Sequence, residues 1–363
     1  MTKNIVNRYV LPHLANIATY EPAEPLESMA NRAGIPIKQI VRLNANENPY
    51  GPSPKVSEAL SNLDPHIYPD PLQVVLRDKI GKYASVDPSM VVAGAGSDEL
   101  IDLIFRLGIS QGDTVIDSDP TFGMYGFCAR IAGAKIRAVP RDSNFDLDAT
   151  GVIDAIDSST KMILLNLPNN PTGNIATLEQ IKFLLDTGLL VVVDEAYYEF
   201  CGATAIELLS EYDNLVVLRT FSKWAGLAGL RVGYGVMSKS LVDHIIDIKS
   251  PYNVNSAAET AVLASLDDTE YLLEKVKIII DERERMFELL NGMRSLTPLP
   301  SGGNYILCQV RSGRSDLIFE DMARRGIFLR KFGHPRLVDC FRITVGKPEQ
   351  NDAVLLAIGE IAG

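Results

Sequence analysis

The chain reads as an α/β protein: a large domain with a mainly parallel sheet sandwiched by helices, plus a smaller α+β domain. Three observations carry that expectation. The apolar run at 189–193 shows no alternation and ends in Asp194, as in a central parallel strand buried on both faces. Residues 90–107 pass from an apolar strand through a tight glycine turn into a helix. At 363 residues the chain exceeds what one core accommodates, so a second lobe is expected.

Taken in order, residues 1–51 are rich in proline and polar residues and form an arm with one helix at about 25–34. The stretch 44–52, with Asn44, Asn46, Asn48, Pro49, Gly51 and Pro52, is turn chemistry throughout. Tyr68 and the prolines beside Asp70 precede a helix beginning near Leu72. The strand at 90–93 leads through Gly94 and Gly96 into a helix that runs to Leu107 and is ended by Gly108. Glycines let a backbone approach an anion, and the free amides of a helix start bind phosphate. A dinucleotide turn would carry a third glycine where Glu99 stands, so Gly96 and the amides near Ser97 and Asp98 suit a single phosphate.

Strands follow at 114–117 and 161–166; the first leads to Phe122, the second to the turn residues Asn169, Asn170, Pro171, Thr172 and Gly173. Asp194, at the end of the buried strand, is costly there unless a cation meets it, and Tyr197 lies three residues on. The strand at 215–218 gives way to Thr220, Ser222 and Lys223, then to glycines and Arg231. A lysine held where a strand becomes a loop is partly desolvated, which lowers its pKa and makes it an amine nucleophile. Thr220, Ser222 and Arg231 add the donors a phosphate needs.

A further strand is expected at 233–236, and one or two long helices over 253–293, with solvated pairs such as Asp281 with Arg285. Strands at 304–308 and 340–346 surround a helix near 315–325. Arg330 and Arg342 lie in this second lobe. One guanidinium fork fits a carboxylate, and two suit a phosphate dianion. The resulting division is an arm at 1–51, a large domain at 52–245 and a small domain at 255–363, joined by a long helix.

Composition excludes several function classes. With 35 Lys+Arg against 46 Asp+Glu the net charge is −11, and no basic run suits nucleic acid or an anionic membrane. The 4 cysteines and 4 histidines are scattered without metal-ligand spacing, so no metal site is expected and a reduced, cytoplasmic protein is. The first residues lack a signal-peptide pattern, and no apolar run approaches membrane-spanning length.

The Lys223 segment resembles the Schiff-base lysine region of fold-type I pyridoxal-phosphate enzymes, the aspartate aminotransferase superfamily (class II). Phe122, Asn170, Asp194, Tyr197, Lys223, Arg231 and Arg342 appear in that superfamily's order. The resemblance implies pyridoxal 5'-phosphate as cofactor. It makes Lys223 the residue that holds the cofactor and moves the substrate proton, with Asp194 at the ring nitrogen. Asn170 and Tyr197 fall at the ring hydroxyl, and Phe122 against the ring face. Gly96, Ser97, Asp98, Thr220, Ser222 and Arg231 fall at the phosphate. Tyr68 matches a tyrosine that reaches a partner's cofactor phosphate across a homodimer interface, and Arg342 a carboxylate-binding arginine.

Tyr20, the run Asn46, Glu47, Asn48 and Pro49, Tyr68 with Pro69 and Asp70, and Arg330 are most similar to the histidinol-phosphate aminotransferase branch. That branch implies histidinol phosphate as amino donor, 2-oxoglutarate as acceptor, a place in histidine biosynthesis, and Tyr20, Arg330 and Arg342 on the substrate side. Phe122 departs from the tyrosine usual there, keeping the stacking surface and losing the hydroxyl. Threonine-phosphate decarboxylases and some aromatic amino acid aminotransferases look similar and need the same lysine and aspartate. A ligand-binding regulator without turnover is the alternative from another class.

Overall fold

The structure is a computed structural model that describes residues 8–20, 22, 24–311, 313 and 315–362; the first seven residues of the expected arm lie outside it. In chain order the strands are β1 (Val41–Arg42), β2 (Val91–Gly94), β3 (Thr114–Asp119), β4 (Lys135–Pro140), β5 (Thr160–Asn166), β6 (Leu190–Asp194), β7 (Leu215–Thr220) and β8 (Gly233–Met237), followed by β9 (Leu296–Pro298), β10 (Tyr305–Val310), β11 (Ile327–Phe328), β12 (Arg330–Lys331) and β13 (Cys340–Thr344).

A 7-stranded sheet has the order β2-β8-β7-β6-β5-β3-β4. All neighbours from β7 to β4 run parallel, while β8 is antiparallel to both β2 and β7. The valine- and leucine-rich interiors of β5, β6 and β7 are buried on both faces, which is why they lack alternation. On one face Val192, Val216 and Leu218 pack with Leu100, Ile104 and Tyr125 from the helices Ser97–Gly108 and Met124–Ala132. On the other, Val191, Val193 and Val217 join the core that continues into the C-terminal part of the chain.

The parallel strands end together. Asn166 is the register partner of Asp194, and Asp194 of Leu218, so their polar ends sit side by side at one rim of the sheet. The β2 turn is brought close because Gly233 has no side chain: a Cβ there would lie 2.6 Å from Ser97 N. Strand alternation sends Glu195 to the opposite face from Asp194. There it pairs with Arg219 at 2.9 Å, with the two side chains 0% and 3% exposed. Thr204 Oγ1 and the Ala205 amide also donate to Glu195, so this buried pair is fully bonded.

The C-terminal sheet is antiparallel, in the order β12-β13-β10-β9, and a separate two-stranded sheet pairs β1 of the arm with β11 in parallel. The helix Lys239–Ile248 packs on the large sheet, and the helix Thr269–Asn291 packs on β9 and β10. His334 Nε2 meets Asp119 Oδ2 at 2.5 Å, tying the loop after β12 to the end of β3.

Two local expectations are corrected. The helix after Tyr68 begins at Val74, because the Asp70 carboxylate first accepts the amides of Leu72 and Val74. Arg285 pairs not with Asp281 but with Glu282, one turn away at i+3, and with Asp352 of the last helix, both at 2.8 Å. Cys128, Cys308 and Cys340 are buried thiols, whereas Cys201 is half-buried.

Candidate active site

The rim formed by β5, β6 and β7 opens into a cavity of ≈ 680 Å³ bounded by the large sheet, the arm and the C-terminal sheet. Asp194 stands at its floor, 2% exposed. Tyr125 donates its hydroxyl to Asp194 Oδ2 at 3.0 Å and the Ala196 amide donates to Oδ1 at 3.1 Å. Burial nevertheless raises this carboxyl to about 7, the Tyr125 hydrogen bond opposing the shift. A carboxylate so poorly solvated is a strong partner for a cation entering the cavity.

Lys223 lines the same cavity and donates to the Ala45 carbonyl at 3.3 Å. Burial first, and then the Arg342 charge, lower its amine to about 8. A far larger share of it than of an ordinary lysine is therefore uncharged and nucleophilic near neutral pH, as a carbonyl-capturing lysine requires.

A cluster of phosphate-type donors occupies one end. Thr220, Ser222, Ser97, Asp98 and Arg231 all line the cavity. Thr220 Oγ1 donates to Ser222 Oγ at 3.0 Å, Arg231 Nη1 reaches Ser222 Oγ at 3.5 Å, and Arg231 Nη2 pairs with Asp98 at 3.0 Å. Gly96, at φ 81°, adopts a backbone that favours glycine, and a Cβ there would lie 2.7 Å from Arg231 Nη2. Its bare backbone leaves room for the guanidinium at the start of the helix Ser97–Gly108.

Tyr197, Asn170 and Phe122 line the middle of the cavity. Asn46 Nδ2 donates to the Tyr197 hydroxyl at 2.9 Å, and burial raises that phenol to about 12. Asn170 holds its amide on Asn166 Oδ1 at 2.7 Å and its Oδ1 toward Arg342 Nη1 at 2.5 Å. Phe122 meets Tyr125 edge-on, with ring centres 5.6 Å apart, and Tyr20 at 6.3 Å.

At the outer wall Arg330 and Arg342 are register partners on β12 and β13, and Tyr20 lines the cavity with them. Arg342 Nη2 donates to the Asn44 carbonyl at 3.0 Å, while its Nε is buried without a hydrogen-bond partner among the described residues. Burial, with the Arg330 charge adding to it, lowers the Arg342 guanidinium. Like charges facing each other across a strand pair are unfavourable unless an anion lies between them.

These residues fit pyridoxal 5'-phosphate by donor chemistry. A desolvated carboxylate suits its cationic ring nitrogen, an amine of lowered pKa its aldehyde, and the hydroxyl–guanidinium cluster its phosphate. Tyr68 is not brought to the cavity. It is 76% exposed, and its ring stacks on Tyr252 with centres 4.4 Å apart.

Sequence reasoning missed Tyr125, Asn46, Asn166 and the Ala45 carbonyl. Tyr125 follows Phe122 at helical spacing, which was the available signal. Asn46 lay in a stretch whose resemblance and turn chemistry assigned its side chain no role.

A family model described as aminotransferase class I and II matches residues 38–358. The chain is 46% identical over 361 residues to a histidinol-phosphate aminotransferase of Roseiflexus castenholzii, covering 97% of each chain. It is 43% identical over 362 residues to one of Dehalococcoides mccartyi, covering 99% of each. Its fold matches the crystal structure of histidinol-phosphate aminotransferase from Sinorhizobium meliloti in complex with pyridoxal-5'-phosphate, with TM-score 0.88, 26% identity and 97% of each chain covered.

Proposed function

The chain belongs to the class I and II aminotransferases, and on that footing we propose that it transfers the amino group of histidinol phosphate to 2-oxoglutarate. The products are imidazole acetol phosphate and glutamate, a step of histidine biosynthesis. The observation that carries this choice of donor is the register pairing of Arg330 with Arg342, two guanidinium groups side by side at the cavity wall. A phosphate dianion is the anion whose charge matches both.

Bound pyridoxal 5'-phosphate supplies an aldehyde and an electron-accepting ring. Lys223 Nζ would hold the cofactor and be left a free amine once the donor's amine is bound. As a free amine Lys223 would take the proton from the donor's α-carbon as base and pass it to the cofactor carbon as acid. Asp194 keeps the ring nitrogen protonated. Tyr197 and Asn170 hold the ring hydroxyl, and Phe122 fixes the ring plane. Gly96 and the amides of Ser97 and Asp98, with Thr220, Ser222 and Arg231, hold the cofactor phosphate. Tyr20, Arg330 and Arg342 hold the substrate's own phosphate.

The reading extends to a homodimer in the cytoplasm. Support for the dimer comes from an exposed apolar face of Ile67, Tyr68, Leu72, Val74, Val75 and Tyr252. In such a dimer Tyr68 reaches the partner's cofactor phosphate. Among the described residues no helix is long and apolar enough to cross a membrane. The arm at 1–51 and residues 255–363 act as the small domain, and 52–245 as the large one.

Purified protein reconstituted with pyridoxal 5'-phosphate and titrated with histidinol phosphate should lose its visible cofactor band. With 2-oxoglutarate it should form glutamate stoichiometrically. Carbon dioxide release from threonine phosphate without amino transfer would overturn the proposal.

A further inference from the structure

Three consecutive residues of the arm reach into the site. The carbonyl of Asn44 accepts Arg342 Nη2, that of Ala45 accepts Lys223 Nζ, and that of Asn46 accepts Asn304 Nδ2. Asn46 is 1% exposed and sits at φ 52°, a left-handed conformation that asparagine tolerates better than most residues.

The side chain of Asn46 is held in one orientation. Its backbone amide donates to Thr344 Oγ1 at 2.9 Å, so the Thr344 hydroxyl has its own proton to place, and Asn46 Oδ1 accepts it at 3.0 Å. That leaves Asn46 Nδ2 turned to Tyr197, whose oxygen it meets at 2.9 Å. The Tyr197 oxygen therefore accepts a hydrogen bond from Asn46, and no acceptor among the described residues meets the proton of Tyr197 itself. The phenol lines the cavity, so that proton is available only to something inside it.

We propose that Asn46 is a positioning residue: by donating to the Tyr197 oxygen it directs the Tyr197 hydroxyl, as donor, at the ring oxygen of the cofactor. The inference rests on the cofactor assignment made above. A donor fixed at that oxygen stabilises its negative charge, and so lowers the pH at which the proton between the oxygen and the Lys223 nitrogen is lost.

The test is the pH midpoint of the visible absorption change of the holoenzyme, in the native protein and in Tyr197→Phe, Asn46→Gly, Asn46→Asp and the combined variants. Glycine and aspartate both tolerate the left-handed backbone at this position. Asn46→Gly removes the donor without adding charge. Asn46→Asp turns the donor into an acceptor that draws the Tyr197 proton away from the cavity.

Tyr197→Phe should raise the midpoint by about one to two pH units, the worth of one hydrogen bond to a charged acceptor. Asn46→Gly should raise it in the same direction, and Asn46→Asp further. In the Tyr197→Phe background Asn46→Gly should add nothing, and the excess of Asn46→Asp should shrink. If Tyr197→Phe shifts the midpoint and Asn46→Gly does not, the role of Asn46 is overturned. It is likewise overturned if the Asn46 shifts are equally large without the phenol. If Tyr197→Phe itself has no effect, the assignment of Tyr197 to the ring oxygen fails instead.

Discussion

Tyr125 donates its hydroxyl to Asp194 Oδ2 across 3.0 Å, joining the first turn of the helix Met124–Ala132 to the carboxylate at the cavity floor. The bond favours the ionised carboxylate against the burial that pushes it toward about 7. Tyr125→Phe should therefore weaken retention of pyridoxal 5'-phosphate by about tenfold or more, the worth of a hydrogen bond to a charged group. Dialysis against falling cofactor concentration measures this. The loss should be smaller in an Asp194→Asn background, where no charge remains to be supported.

The stability of the cofactor-free protein should fall as pH rises from about 4 to 7. Burial raises Asp117, Asp194 and Glu199 each to about 7, from ordinary values of 3.8, 3.8 and 4.5. A carboxyl that binds its proton more tightly when folded contributes its full stability below the unfolded value. It loses that contribution as pH climbs through the folded value, at most about 1.4 kcal/mol per unit per group. Urea midpoints across this range should show the decline. Asp194→Asn should flatten part of it, and added cofactor should restore stability most at the high end.

Breaking the buried Glu195–Arg219 pair should cost stability in the first place rather than catalysis. Glu195→Ala leaves a guanidinium that is 3% exposed without its carboxylate. Such a loss costs about 3–5 kcal/mol, against a smaller cost for replacing both partners by apolar residues. Chemical denaturation of the single and double variants distinguishes these outcomes.

Arg330→Ala should raise KM for histidinol phosphate by about 10–100-fold, the value of a charged hydrogen bond to substrate, and alter kcat less. An amino donor without a phosphate should feel the change far less. Arg342→Lys should be worse than it looks by charge. One ammonium cannot meet Asn170 and the Asn44 carbonyl as the planar fork does at 2.5 and 3.0 Å.

Lys223, Asp194 and Asn170 were legible because each follows a strand of continuous apolar residues. A polar side chain at such an end has few places to go but the rim of the sheet. Arg330 and Arg342 were legible as a pair, though their direct opposition was not, since it depends on how β12 and β13 align. Tyr125 and Asn46 escaped notice because their meaning lies in partners 69 and 151 positions away in the chain. Nothing local separates a tyrosine on a helix, or an asparagine in a turn, from packing and solvent. The misassigned partner of Arg285 has the same origin: its choice of Glu282 is shared with Asp352 on a helix far along the chain.

Asp194, the last residue of β6, and Glu195 just after it are adjacent acids whose side chains point in opposite directions, one to the cavity floor and one to Arg219. A slip of one residue in the alignment of this strand would exchange them. The guanidinium would lose its counter-ion and a longer carboxylate would crowd the floor, so fold and chemistry would fail together. A single-residue insertion or deletion within β6 is thus more damaging than most substitutions there.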